Sequence, residues 1–193
     1  MPPITPTCPG EPYLLTPGPL TTAHAVKAAM LRDHGSWDSD FRAMTASLRE
    51  QLVVMLGDPG FDCVPIQGSG SFAVEAMLGS FIPRGGKALV LANGAYGQRA
   101  AASLRFMGRA CEVLDKGDFA PPRGTEVAAL LARDPAITHV VAIQCETSSG
   151  ILNPLPEIAG TVADAGRSLL VDAMSSFGGV PFDTREIPCD ALV

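Results

Sequence analysis

From Cys63 onward, short apolar runs alternate with stretches in which apolar residues recur every three or four positions. Such runs read as strands buried on both faces, and the longer period reads as amphipathic helices packed on them. The predicted order is strand 63–67, helix 72–81, strand 88–92, helix 98–107, strand 110–114, helix 126–133, strand 139–143, helix 156–165 and strand 168–172, with another strand beginning at Asp190. Upstream, residues 23–31 and 41–56 carry helical patterns, the second with Leu48, Leu52, Met55 and Leu56 on one face. Alternation of this kind predicts an α/β fold, a mostly parallel sheet with helices on both faces and its chemistry at the carboxyl ends of the strands. Residues 1–20 are proline-rich and read as an irregular arm ending in the Pro17-Gly18-Pro19 turn, with residues 21–193 forming one main domain.

Composition narrows the function more than the fold. The chain is 47% hydrophobic and 18% charged, ordinary for a globular domain. Its net charge is −6 and its 14 Lys and Arg are scattered, which argues against nucleic acid and against acidic lipid surfaces as partners. No apolar run reaches membrane-spanning length and the first residues lack the features of a signal peptide, so a cytoplasmic protein is expected. Five widely spaced cysteines without a C-x-x-C pair suggest neither a disulfide framework nor a zinc site.

The informative residues stand at the predicted strand ends. In Ser168-Leu169-Leu170-Val171-Asp172, three large apolar residues lead into one carboxylate, which either caps the next turn or meets a cationic ligand nitrogen in a crevice. In Gln67-Gly68-Ser69-Gly70-Ser71-Phe72-Ala73, amides freed at a helix start and two hydroxyls suit a phosphate. The same residues fit the dinucleotide spacing G-x-G-x-x-A, although Asn93 stands where that reading wants an acid. Tyr96, flanked by Gly94 and Gly97, either lies against a planar ring or is a partly buried tyrosine satisfying its own hydroxyl. Thr147, Ser148 and Ser149 offer hydroxyls to a ligand oxygen or to a helix start. Asp38 and Asp40, beside the single tryptophan Trp37, are either paired acids or the cap of the following helix. A phosphate cradle, an aromatic plate, hydroxyls and an acid along one sheet edge are together what a pyridoxal phosphate site requires.

These motifs resemble those of the class V, fold-type I aminotransferases, which use pyridoxal 5′-phosphate. The resemblance runs from Leu14–Thr22 through Trp37–Asp40, Gln67–Ser71, Asn93–Gly97 and Glu146–Gly150 to Val171–Gly178. Within the class, the Trp37 loop and the string Asp172–Gly178 are more similar to the branch whose amino donor is 2-aminoethylphosphonate than to the alanine:glyoxylate or serine:pyruvate branches. The resemblance implies that Ser69, Gly70 and Ser71 hold the cofactor phosphate, that Tyr96 stacks on the ring, and that Thr147 bonds the phenolic oxygen. It also implies that Asp172 pairs with the pyridine nitrogen and that the Gly18 backbone lines the substrate pocket. The implied reaction gives phosphonoacetaldehyde and alanine from 2-aminoethylphosphonate and pyruvate, in a homodimer. The family's Schiff-base lysine falls beyond the strand that begins at Asp190, so the chain is expected to be the N-terminal part and large domain, truncated before that lysine and before the small C-terminal domain, and inactive alone. Lys27, Lys87 and Lys116 are the chain's lysines, and none matches it. The alternatives are a sister aminotransferase of the same class, a non-catalytic cofactor-binding or remnant domain, and a dinucleotide-binding domain.

Overall fold

The structure, a computed structural model, describes residues 10–193, and the first part of the expected arm lies outside the described residues. The chain divides into two compact units, Met1–Glu50 and Gln51–Val193.

The first unit contains α1 (His24–Ala29) and the start of α2 (Ser39–Met55). Asp38 immediately precedes α2 and accepts a hydrogen bond from the Gly35 amide at 2.9 Å, while Asp40 in the first helical turn lies 3.8 Å from Arg32. These contacts give Asp38 the closure of the turn and Asp40 the compensation of the helix dipole.

The second unit is built on a five-stranded parallel sheet of β1 (Lys87–Ala92), β2 (Ala110–Asp115), β3 (Ile137–Ile143), β6 (Ser168–Asp172) and β7 (Ala191–Leu192), in the order β2-β1-β3-β6-β7. A two-stranded antiparallel hairpin, β4 (Cys145–Glu146) with β5 (Ile151–Leu152), extends from the end of β3. The helices are α3 (Gly70–Phe81), α4 (Ala95–Phe106), α5 (Gly124–Arg133) and α6 (Leu155–Asp164).

The side-chain period of two sorts each strand between two cores. Ala88, Val90, Val141 and Leu170 face α3 and α4, where Met77, Leu78, Ala100 and Leu104 are buried. Leu89, Leu91, Val140, Ala142, Leu169 and Val171 face α5 and α6, where Val127, Leu131, Ile158 and Val162 are buried. Helices therefore cover both sheet faces, as the apolar runs require. The strand order reverses between β1 and β3, so the crevice of a doubly wound sheet opens at their carboxyl ends.

On α6, Leu155, Ile158, Ala159 and Val162 are buried at the spacing of one helical face, and Pro156 fits the first turn, where no amide partner is lost. Ile158 is fully enclosed. Ile158→Val, which removes one methylene group, is expected to cost ~1 kcal/mol, read as a lower denaturation midpoint with an unchanged slope.

One expected strand is absent. Residues 63–67 are irregular, with Val64 and Ile66 exposed. The apolar alternation there has no neighbouring strand to receive its backbone bonds. This also removes the dinucleotide reading, whose glycine turn must follow a strand of the sheet. The helices begin earlier than their periodicity predicts, α3 at Gly70 and α4 at Ala95, and both early starts lie in the candidate site.

Candidate active site

A cleft of about 220 Å³ opens at the carboxyl edge of the sheet, and Ser69, Gly70, Ser71, Tyr96, Arg99 and Asp172 are among the residues that line it. Five of the seven residues singled out in the sequence thus meet in one place. Thr147 lies on the turn between β4 and β5 and does not line this cleft, and Gly18 belongs to the other unit.

One rim is the start of α3. Gly68 has a φ of +139°, and a Cβ there would lie 2.1 Å from the Phe72 ring, so the turn into the helix demands glycine. Ser69 is the N-cap but its side chain makes no capping bond, and its carbonyl accepts the amides of Phe72 and Ala73. The Gly70 and Ser71 amides precede the first intrahelical bonds and point out of the helix with its positive end, an arrangement suited to an anion.

The opposite rim is the end of β6. The Asp172 side chain is 7% exposed and accepts the Met174 amide at 3.0 Å, and among the described residues it forms no salt bridge. Burial pushes its carboxyl above the usual range; the Met174 amide opposes the shift, Glu146 adds to it and Arg99 opposes it. The two rims touch, since a Cβ on Gly70 would lie 2.8 Å from Met174 Cε.

Tyr96, at the start of α4, is 38% exposed, and the Arg99 guanidinium lies over its ring at 4.9 Å from the centroid. Arg99 also reaches Ser71 Oγ at 3.5 Å, a long contact linking the plate to the cradle. Sequence reasoning missed Arg99, although its spacing of one helical turn from Tyr96 was visible. It also missed Glu146, whose one signal was the hydroxyl run Thr147-Ser148-Ser149 that follows it.

The lysines of the chain are engaged elsewhere. Lys27 pairs with Glu11, Lys87 pairs with Asp134 and Glu112 at the amino edge of the sheet, and Lys116 pairs with Glu126 at 2.6 Å. The hydrogen bond that Lys87 donates to Asp134 raises the Lys87 pKa, the wrong direction for an amine nucleophile. Among the described residues no group of three or more His, Cys, Asp or Glu is placed to hold a metal ion, and no helix is long and apolar enough to cross a membrane.

Comparison with known proteins agrees with this architecture. Residues 24–193 match the aminotransferase class-V family. The chain is 66% identical over 186 residues to 2-aminoethylphosphonate–pyruvate transaminase 1 of Paraburkholderia xenovorans (strain LB400), covering 95% of this chain and 48% of that protein. It is 66% identical over 186 residues to the corresponding transaminase of Rhizobium meliloti (strain 1021), covering 95% of this chain and 49% of that one. The chain therefore spans about half the length of the curated relatives it matches. Among solved structures, alanine–glyoxylate aminotransferase from Nostoc sp. superposes with a TM-score of 0.86 at 25% identity, over 96% of this chain and 50% of that one. Pyridoxamine-pyruvate aminotransferase from Mesorhizobium loti does so with a TM-score of 0.85 at 25% identity, over 93% of this chain and 46% of that one. The sheet order, the cleft at its carboxyl edge and a family match over most of its length lead to one conclusion: the chain belongs to the class-V aminotransferases, in the fold-type I architecture.

Proposed function

We propose that this chain forms the pyridoxal-phosphate-binding part of an enzyme that moves the amino group of 2-aminoethylphosphonate to pyruvate, giving phosphonoacetaldehyde and alanine. The observation that carries the cofactor reading is a buried carboxylate, Asp172, that forms no salt bridge among the described residues and lies in the same cleft as a serine-bearing helix start. A dianionic phosphate and a protonated ring nitrogen would supply the charges these two groups lack. The residues present fit the group.

Ser69, Gly70 and Ser71 would hold the phosphate through amides and hydroxyls, Tyr96 would lie along one ring face, and Asp172 would keep the ring nitrogen protonated. Thr147 would bond the phenolic oxygen from the turn beside Glu146. When bound, the cofactor supplies an electron sink for removing a proton next to the amine. The chain's own work is orientation and charge. The lysine of the reaction is none of Lys27, Lys87 and Lys116, each of which is held in an ion pair. The whole enzyme would act as a cytoplasmic homodimer, a reading that rests on family likeness alone.

The choice of donor is supported by the 66% identity to relatives named for 2-aminoethylphosphonate and pyruvate, far above the 25% shared with an alanine–glyoxylate enzyme. The complete gene product, supplied with pyridoxal phosphate and pyruvate, is expected to form alanine from 2-aminoethylphosphonate with kcat/KM about 100-fold or more above that for L-serine, a difference of about 2.7 kcal/mol. Preference for alanine or serine with glyoxylate would move the enzyme to a sister branch. No amino transfer from any of these donors would end the reading.

A further inference from the structure

We propose that Glu146 is the positioning residue of this site: its carboxylate fixes the start of α4 against the turn at residues 147–150, so that Tyr96 and Thr147 are presented to the same ligand. The proposal rests on the cofactor reading above and adds a residue to which that reading gives no role.

Every helix leaves its first amides without intrahelical acceptors. In α4 the N-cap is Gly94, which has no side chain to offer. The acceptors come instead from about fifty residues further along the chain. The Ala95 amide donates to Ser148 Oγ at 2.8 Å, the Tyr96 amide to Glu146 Oε1 at 3.3 Å, and the Gly97 amide to Glu146 Oε2 at 3.1 Å. Gln98 then makes the first bond within the helix, to the Gly94 carbonyl at 3.2 Å. Ser148 closes the arrangement by donating its hydroxyl to Glu146 Oε1 at 2.7 Å and its amide to the same oxygen at 3.3 Å. The Glu146 carbonyl accepts the Gly150 amide at 2.8 Å and so shapes the turn as well.

Four donors therefore converge on a carboxylate that is fully buried and, among the described residues, has no salt-bridge partner. An acceptor-only carboxylate at the positive end of a helix is the group that satisfies such a set. The space is shaped for it, because a Cβ on Gly94 would lie 2.4 Å from Ser148 Oγ and 2.5 Å from Glu146 Cγ. An exposed cap needs only a serine or aspartate at the N-cap itself. Here one buried side chain bonds the amide of Tyr96, which lines the cleft, and directly precedes Thr147, to which the proposed function gives the same ligand. In Glu146→Gln, one acceptor oxygen becomes an amide nitrogen that faces a donor whichever way the side chain is turned.

The test uses the complete protein and the variants Glu146→Gln, Ser148→Ala and Ser148→Thr. In the cofactor-free state, amide hydrogen exchange at residues 95–97 is expected to speed up about tenfold or more in Glu146→Gln and Ser148→Ala, with β3 and β6 unchanged. In the same two variants the Kd for pyridoxal phosphate, read from its absorbance, rises about tenfold or more. Ser148→Thr keeps the hydroxyl and restores both readouts, which a general loss of stability would not do. Unchanged exchange at residues 95–97 in Ser148→Ala overturns the proposal even if Glu146→Gln fails to fold, and so does faster exchange with an unaltered Kd. If the parent protein binds no pyridoxal phosphate, the cofactor reading falls and the exchange data alone decide the clamp.

Discussion

Replacing Asp172 by asparagine is expected to make the cofactor-free protein harder to unfold at neutral pH while removing about a thousandfold from the rate of transamination, or about 4 kcal/mol. Both effects come from one carboxylate. Asp172 is buried and, among the described residues, forms no salt bridge, and burial raises its pKa above the ordinary carboxylate value. Between that ordinary value and the raised one, the folded chain binds more protons than the unfolded chain. The free energy of unfolding therefore falls as pH rises through this window, and above it the folded chain bears the full cost of a desolvated charge. Asparagine removes the charge and keeps an oxygen for the Met174 amide, whose bond to Asp172 is 3.0 Å. Its stabilising effect should be small well below the window and largest above it. Thermal denaturation of both proteins at acid and at neutral pH measures this directly. The same neutral amide cannot hold a proton on a ring nitrogen, so stability and activity must move in opposite directions. A variant destabilised equally at both pH values would show that Asp172 is a packing or capping residue. Full activity in the variant would remove it from the site.

The trade at Asp172 was partly legible in the sequence, and the limit of that legibility has a physical origin. The strands β1, β3 and β6 were readable because burial on both faces makes their apolar runs continuous, and Asp172 stood out as the charge that ends one of them. Residues 63–67 show why a local pattern is insufficient: they have strand-like text, but a strand exists only where another accepts its hydrogen bonds. The early start of α4 was hidden for a related reason. Its cap is Glu146 with Ser148, and no window around Ala95 contains them. Local text placed the cleft-lining residues Ser69, Ser71, Tyr96 and Asp172 in order, whereas Arg99, which meets the Tyr96 ring and Ser71, and Glu146, which accepts the Tyr96 amide, became visible only with the fold. One lone cue was available, a glutamate three residues past the predicted strand 139–143 and followed by three hydroxyl residues.

The same close fit at the start of α4 gives Gly97→Ala an effect opposite in sign to the one helix propensity assigns. Alanine inside a helix is ordinarily better than glycine by about 1 kcal/mol, because it restricts the unfolded chain. Gly160, within α6, has nothing within 4 Å of where a Cβ would stand, so Gly160→Ala is expected to show that gain. At Gly97 the new Cβ would lie 2.6 Å from Ala92 Cα, 2.9 Å from Ala92 Cβ and 3.1 Å from the Leu91 carbonyl oxygen. These atoms belong to β1, which is hydrogen-bonded to β2 on one side and β3 on the other and cannot withdraw. The helix must move instead, and it takes with it the Tyr96 and Gly97 amides that Glu146 holds. The expected cost is ~2–3 kcal/mol in denaturant unfolding, with a weaker affinity for pyridoxal phosphate, because overpacking against a rigid backbone outweighs the propensity gain. The two glycines thus separate packing from propensity within one fold. If Gly97→Ala stabilised the protein as Gly160→Ala does, α4 could not lie against β1 as described, and the placement of Tyr96 over the cleft would fail with it.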